Sequence, residues 1–209
     1  MMEEEQPAPT DSLPTRRSLL TRLRNWDDDE GWREFHELYY DLILSVVRKS
    51  GVSGADAEEV AQEALISVAK GMKEFRYNPE RGSFKGWLKT IVRSRLVDFF
   101  RRQARRRTTP LDENTAPEEA SDSEPLNELD AHYEREWSRH LLEQALRWLQ
   151  RRIPARQFAV FDLCVLQEQP VPEVARLLGM NRGLIYVTKH RAARLLKQRL
   201  EVLRTEMEK

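Results

Sequence analysis

The 209-residue chain has one cysteine, Cys164, which excludes an internal disulfide and any multi-cysteine metal site. Such a lone thiol is expected to fill core space. Glycine and proline are sparse at 8 and 10, and no stretch alternates apolar and polar residues long enough to read as a strand, so the fold expected is all-α. No run approaches the roughly 18 apolar residues of a membrane span. The opening MMEEEQPAPTDSLPT is acidic and lacks the basic and apolar stretches of a secretory signal, so a cytoplasmic location without membrane contact is expected.

Chemistry is missing as well. There is no phosphate-cradling glycine loop with lysine and no HExxH, and His36, His132, His140 and His190 show no ligand spacing. Asp27, Asp28 and Asp29 are adjacent acids that point in different directions, which suits helix capping better than a magnesium site. The expectation is a non-enzyme with no catalytic residue, metal, cofactor or small-molecule substrate.

What is present is segregated charge. Net charge is zero, yet residues 81–107 hold ten bases against the single acid Asp98, residues 111–136 hold ten acids against Arg135, and residues 176–204 hold eight bases against Glu201. Apolar spacing predicts a short helix over residues 16–25 and a longer one capped by Asp28 or Asp29. The latter carries Trp32, Phe35, Tyr39, Leu42, Ile43, Val46 and Val47 and stops at Gly51. Ser53 with Asp56 resembles a capping box for a third helix, whose buried stripe is Ala57, Val60, Ala61, Ala64, Leu65, Val68 and Met72. After a turn around Asn78-Pro79 and Gly82, Ser83 can cap a basic helix with Phe84, Trp87, Leu88, Ile91, Leu96 and Phe99 on its apolar side. These helices form a first domain, residues 15–107, behind a disordered tail at 1–14. Residues 108–131, acidic and carrying Pro110, Pro117 and Pro125, read as a flexible linker. Residues 132–209 then form a second, smaller helical domain with Trp137, Leu141, Ala145, Trp148 and Leu149 on one helix and Phe158, Phe161, Cys164 and Val165 on another.

The strongest local signal is VPEVARLLGMNRGLIYVTKHRAARLL, residues 171–196. Ala175 allows two helices to cross closely, Gly179 four residues on can take a left-handed turn, and Ile185 six residues later can pack back on the first helix, the spacing of a helix-turn-helix. Asn181 can cap the second helix, which would present Arg182, Tyr186, Lys189, His190 and Arg191 to a major groove, with Arg194 and Lys197 on phosphates. An ordinary helical hairpin with a solvated basic face is the plainer alternative. The basic helix of the first domain supplies a second surface through Lys85, Lys89, Arg93, Arg101 and Arg102, while the loop from Tyr77 to Ser83 could receive unpaired bases. The acidic face Asp56, Glu59, Gln62 and Glu63 repels DNA; it serves either a protein partner or the electrostatics of its own helix N-terminus.

Taken together, DAEEVAQEALISVAKGMKEF, RGSFKGWLKTIVRSRLVDFFRR and the C-terminal helix-turn-helix resemble bacterial sigma-70 family RNA polymerase sigma factors of the extracytoplasmic-function type, over roughly residues 15–107 and 137–203. The resemblance implies that the first domain is sigma region 2-like and the second region 4-like. It also implies that Asp56, Glu59, Gln62 and Glu63 meet core RNA polymerase. The Tyr77 to Arg102 stretch (Tyr77, Ser83, Lys85, Lys89, Arg93, Ser94, Arg101 and Arg102) would recognise and open the start-proximal promoter element, and Arg182 to Arg191 would read the distant element as duplex. Core polymerase and promoter DNA are the implied partners. With no sensor domain in the chain, control is expected from outside, an anti-sigma factor being the candidate. Ser94 stands where many relatives carry Asn, and MNRGLIYVTKH departs from the commoner small-polar recognition helix, so no promoter sequence is implied. A stand-alone helix-turn-helix regulator, commonly dimeric, is the competing reading, and it leaves the first domain unexplained.

Overall fold

The computed structural model describes residues 16–73, 75, 83–107 and 128–208. The expected tail, most of the turn after the third helix including Tyr77, and the expected linker up to residue 127 lie outside those residues. Among the described residues the secondary structure is entirely helical, as the scarcity of glycine, proline and alternation predicts: α1 (Arg16–Arg22), α2 (Asp29–Lys49), α3 (Gly54–Met72), α4 (Phe84–Arg107), α5 (Leu129–Arg152), α6 (Ala155–Phe161), a π-helical turn (Asp162–Leu166), α7 (Val171–Leu178) and α8 (Arg182–Glu208).

Asp28 starts α2. Its carboxylate accepts the Gly31 N–H at 2.8 Å and pairs with Arg22 Nε at 2.7 Å, while Arg22 also reaches Glu34 at 3.2 Å, tying α1 to α2. The Arg22 hydrogen bond, then the Gly31 N–H, hold the Asp28 carboxyl below its ordinary range. One helix-start expectation is corrected: Ser53 occupies the N-cap of α3 in an extended conformation, but its side chain makes no capping hydrogen bond. Ser53 is exposed and Gly54 behind it has φ +59°, so the capping box does not close.

In α4 the fully buried line is Phe84, Leu88, Val92 and Leu96, four residues apart, with Trp87, Ile91 and Phe99 flanking it half-buried. Val92, which the sequence stripe omitted, thus belongs to the core. The ring of Trp87 lies over Gly71 of α3, where an added Cβ would come within 2.9 Å of the indole, so the small residue sets the α3–α4 approach.

The second segment begins earlier than its expected start at residue 132. Leu129 is buried, and Leu129, Tyr133, Trp137, Leu141 and Ala145 of α5, with Leu203 and Met207 at the end of α8, share one core with α1, α2, α3 and α4. Trp137 is fully buried, and truncating such an aromatic to alanine typically costs about 3–5 kcal/mol. The α2–α5 seam also buries a carboxylate. Glu136, with a side chain only 3% exposed, meets Lys49 Nζ at 2.6 Å, accepts from Ser45 Oγ at 2.7 Å, and pairs with Arg139. Burial alone would raise its pKa, but the Lys49 and Ser45 hydrogen bonds and the two positive charges outweigh it, and the carboxyl lies below its ordinary range.

Smaller clusters hold the C-terminal helices together: Val160, Cys164, Val174, Ala175 and Ile185 in one, and Leu149, Phe161 and Ala192 in another. Cys164 is buried there, as expected of a lone core thiol. No helix among the described residues is long and apolar enough to cross a membrane.

Candidate nucleic-acid interface

The C-terminal reader is built from short-range chemistry. Gly179 ends α7 at φ +59°, ψ +41°, which glycine adopts without the cost a Cβ brings, and the Met180 N–H reaches back to the Ala175 carbonyl at 2.9 Å. Asn181 Oδ1 then accepts the Gly183 N–H at 2.7 Å and opens α8. Ile185 and Ala175 are buried together, so the Ala, Gly, Ile spacing produces the helix-turn-helix it suggested.

With Ile185, Thr188 and Ala192 turned inward, the opposite face of α8 is fixed. Arg182, Tyr186, His190, Arg191, Arg194 and Lys197 are all exposed on it. Lys189 stands at its margin, half-buried beside Thr188. Val187, not among the residues the sequence pointed to, is 64% exposed beside Tyr186 at 60%. An exposed valine among arginines is placed to touch an apolar group such as a thymine methyl. Among the described residues no ion pair engages the α8 bases Arg182, Lys189, Arg191, Arg194 or Lys197.

The other basic helix is organised differently. Ser83 caps it, accepting the Gly86 N–H at 3.2 Å, so this hydroxyl is occupied by backbone. Lys85 Nζ lies 2.6 Å from Glu134 of α5, Lys89 Nζ 3.4 Å from Asp130, and Arg93 Nη1 4.0 Å from the same Asp130 carboxylate. Ser94 is exposed and accepts from Arg95 Nη2 at 3.4 Å, and Arg101 is exposed further along. Arg102 makes a two-pronged contact with Glu63 of α3, at 2.9 and 3.2 Å, and that hydrogen bond raises the guanidinium pKa further. A residue expected on DNA therefore touches one expected on protein, and the two surfaces adjoin. Phe84, on the apolar side as the spacing predicts, is wholly buried against Phe35 and Tyr39. Tyr77 is outside the described residues.

On α3, Asp56, Glu59 and Gln62 are exposed and Glu63 is half-buried by Arg102. Their face points away from the buried stripe of Ala57, Val60, Ala61, Ala64 and Val68, leaving Asp56 and Glu59 available to a partner while Arg102 holds Glu63.

Such an architecture, with a helix-turn-helix behind a helical unit that carries its own basic and acidic faces, defines a DNA-binding transcription protein. The sigma-70 region 2 family model matches residues 35–106, most of α2 with all of α3 and nearly all of α4. RNA polymerase sigma factor YlaC of Bacillus subtilis is 24% identical over 173 residues, covering 83% of this chain and 94% of that one. The extracytoplasmic-function (ECF) sigma factor RpoE of Cereibacter sphaeroides is 27% identical over 168 residues, 80% and 85% of the two chains. A chain of the solved RsbN–BldN complex is 22% identical over 86% of this chain and 97% of that one, at a TM-score of 0.31, a likeness too loose to place any residue. Residues 35–106 therefore carry sigma-70 region 2, and over about four-fifths of its length the chain is similar to bacterial RNA polymerase sigma factors, the extracytoplasmic-function type among them.

Proposed function

We propose that the chain is a dissociable promoter-specificity subunit of RNA polymerase, which works in the cytoplasm where polymerase and chromosome meet and makes or breaks no covalent bond itself. The observation that carries this reading is the region 2 match over residues 35–106 in a chain that also holds a helix-turn-helix, since a stand-alone regulator has no use for the first unit. The division into a first domain, a linker and a second domain that opens with α5 then acquires a purpose: one domain for separated strands and one for duplex.

In this reading Asp56, Glu59, Gln62 and Glu63 dock on core polymerase, the exposure of the first three and the negative charge of the three acids suiting a basic protein surface. Tyr77, Ser83, Lys85, Lys89, Arg93, Ser94, Arg101 and Arg102 serve the start-proximal element. The α8 face reads the distant element, its arginines suited to guanine edges and phosphates and Val187 with Tyr186 to thymine methyls. Held on one polymerase, the two contacts raise each other's effective concentration. Control in this reading falls to a separate protein of the anti-sigma kind, as the family resemblance implies.

Run-off transcription from genomic promoter fragments with purified core polymerase tests the assignment. The wild-type chain yields core-dependent transcripts, and Asp56→Ala, Glu59→Ala and Glu63→Ala together reduce them about tenfold or more while leaving core-free duplex binding by α8 intact. Duplex binding with no core-dependent transcript from any fragment would instead identify a stand-alone regulator.

A further inference from the structure

Three successive bases of α4, Lys85, Lys89 and Arg93, recur every four residues and so share one face. They meet two acids of α5, Asp130 and Glu134, which also stand four apart. The match is one of register as well as sign, with the helices running past each other so that residue 85 meets 134 while 89 and 93 meet 130. Isolated surface pairs are weak and ordinarily carry no message. These are held in place by buried structure. Tyr133, between the two acids in sequence, is buried and donates its hydroxyl proton to the Lys85 carbonyl at 3.0 Å; burial pushes its phenol pKa well up, so the proton stays. Trp137 is buried one turn on, stacked on Tyr133 at 5.9 Å between centroids, with Lys85 Nζ 5.9 Å from its ring. The Lys85 side chain is left only 18% exposed.

Carboxylates and phosphates make the same demand on a lysine or arginine: an anionic oxygen within hydrogen-bond reach. We infer that α5 is a built-in competitor for DNA on the Lys85–Lys89–Arg93 face of α4, so that strand binding there requires α5 to leave, and the factor away from polymerase is held closed by its own second segment. The inference rests on reading that face as a DNA surface and adds to it what occupies it first. Because α5 leads through α6 and α7 into α8, and the end of α8 shares its core with α4, its departure loosens the seat of the duplex reader and couples the two promoter contacts.

The test uses the full chain without core polymerase and a fluorescein-labelled single-stranded DNA oligonucleotide of mixed sequence, with binding read by anisotropy. Asp130→Asn with Glu134→Gln removes the competing charges and is expected to tighten binding about three- to tenfold over wild type. Glu37→Gln with Asp41→Asn makes the same net charge change at exposed α2 positions that pair with nothing on α4 and is expected to shift binding less than about twofold. Equal gains in the two double variants, or none in either, would overturn the inference while leaving α4 as a DNA surface. Oligonucleotide binding insensitive to Lys85→Ala, Lys89→Ala and Arg93→Ala in the released variant would remove that reading and the inference with it. Amide exchange gives a second readout in the wild-type chain. Residues 129–141 should exchange faster when saturating oligonucleotide is added, and unchanged protection of α5 alongside a newly protected α4 would contradict the inference.

Discussion

The basic faces of α4 and α8 belong to helices of 24 and 27 residues, yet they meet solvent differently. On α8, Arg182, Arg191, Arg194 and Lys197 stand exposed, whereas on α4 the residues nearest its N-terminus are each matched to an acid from α5 and Arg102 is matched to Glu63. Charge counted in sequence is therefore a poor guide to charge in effect. A bare cation is available to a long-range phosphate field and steers encounter, while a paired one must first exchange partners.

Salt separates the two faces most widely. For duplex binding without core polymerase, Arg191→Ala, Arg194→Ala and Lys197→Ala together should lower the salt slope by about 0.9 log units per decade for each phosphate lost and weaken binding by about a hundredfold or more at low salt. The corresponding substitution of Lys85, Lys89 and Arg93 should change duplex binding less than about threefold, since those groups already hold acids. Comparable losses from both sets would break the contrast.

A smaller effect concerns the clasp that joins α5 to α2. The Glu136 carboxyl is depressed in the folded chain, so its contribution is fully present above the unfolded glutamate pKa of about 4.3 and is lost as pH falls through the lower folded value. Glu136→Gln should cost about 1–3 kcal/mol near neutrality, and the gap from wild type should close as denaturant titrations are carried from pH 6 towards pH 3. A gap independent of pH would mean that the carboxylate's charge contributes nothing to the clasp.

What was legible in the sequence was chiefly local. Gly179, Asn181 and Ile185 sit at offsets fixed by one turn and one helix, and each does what its offset requires; Asp28 caps α2 for the same reason. The failures are non-local or run against residue type. Ser53 has the right spacing for a capping box, but backbone conformation at Gly54 decides whether the hydroxyl reaches an amide. Glu136 is a charge buried between helices, which composition argues against until Lys49, Ser45 and Arg139 are seen around it. Leu129, Tyr133, Trp137, Leu141 and Ala145 repeat at helical spacing from before the expected domain start, a signal present in the chain but overshadowed by the acids among them. That repeat says α5 is amphipathic without saying what it covers. Only the assembled core shows that it covers α2 and α4, and that Asp130 and Glu134 thereby come to rest on a basic face.

The division of labour between the two basic helices is tested most directly by permanganate reactivity of promoter thymines in the presence of core polymerase. The wild-type chain should open a start-proximal patch. Arg191→Ala with Arg194→Ala should lose promoter occupancy and reactivity together, and Lys85→Ala, Lys89→Ala and Arg93→Ala should retain occupancy of the distant element while the patch stays unreactive. Full opening by the α4 variant, or loss of distant-element occupancy in it, would contradict the assignment of strands to one helix and duplex to the other.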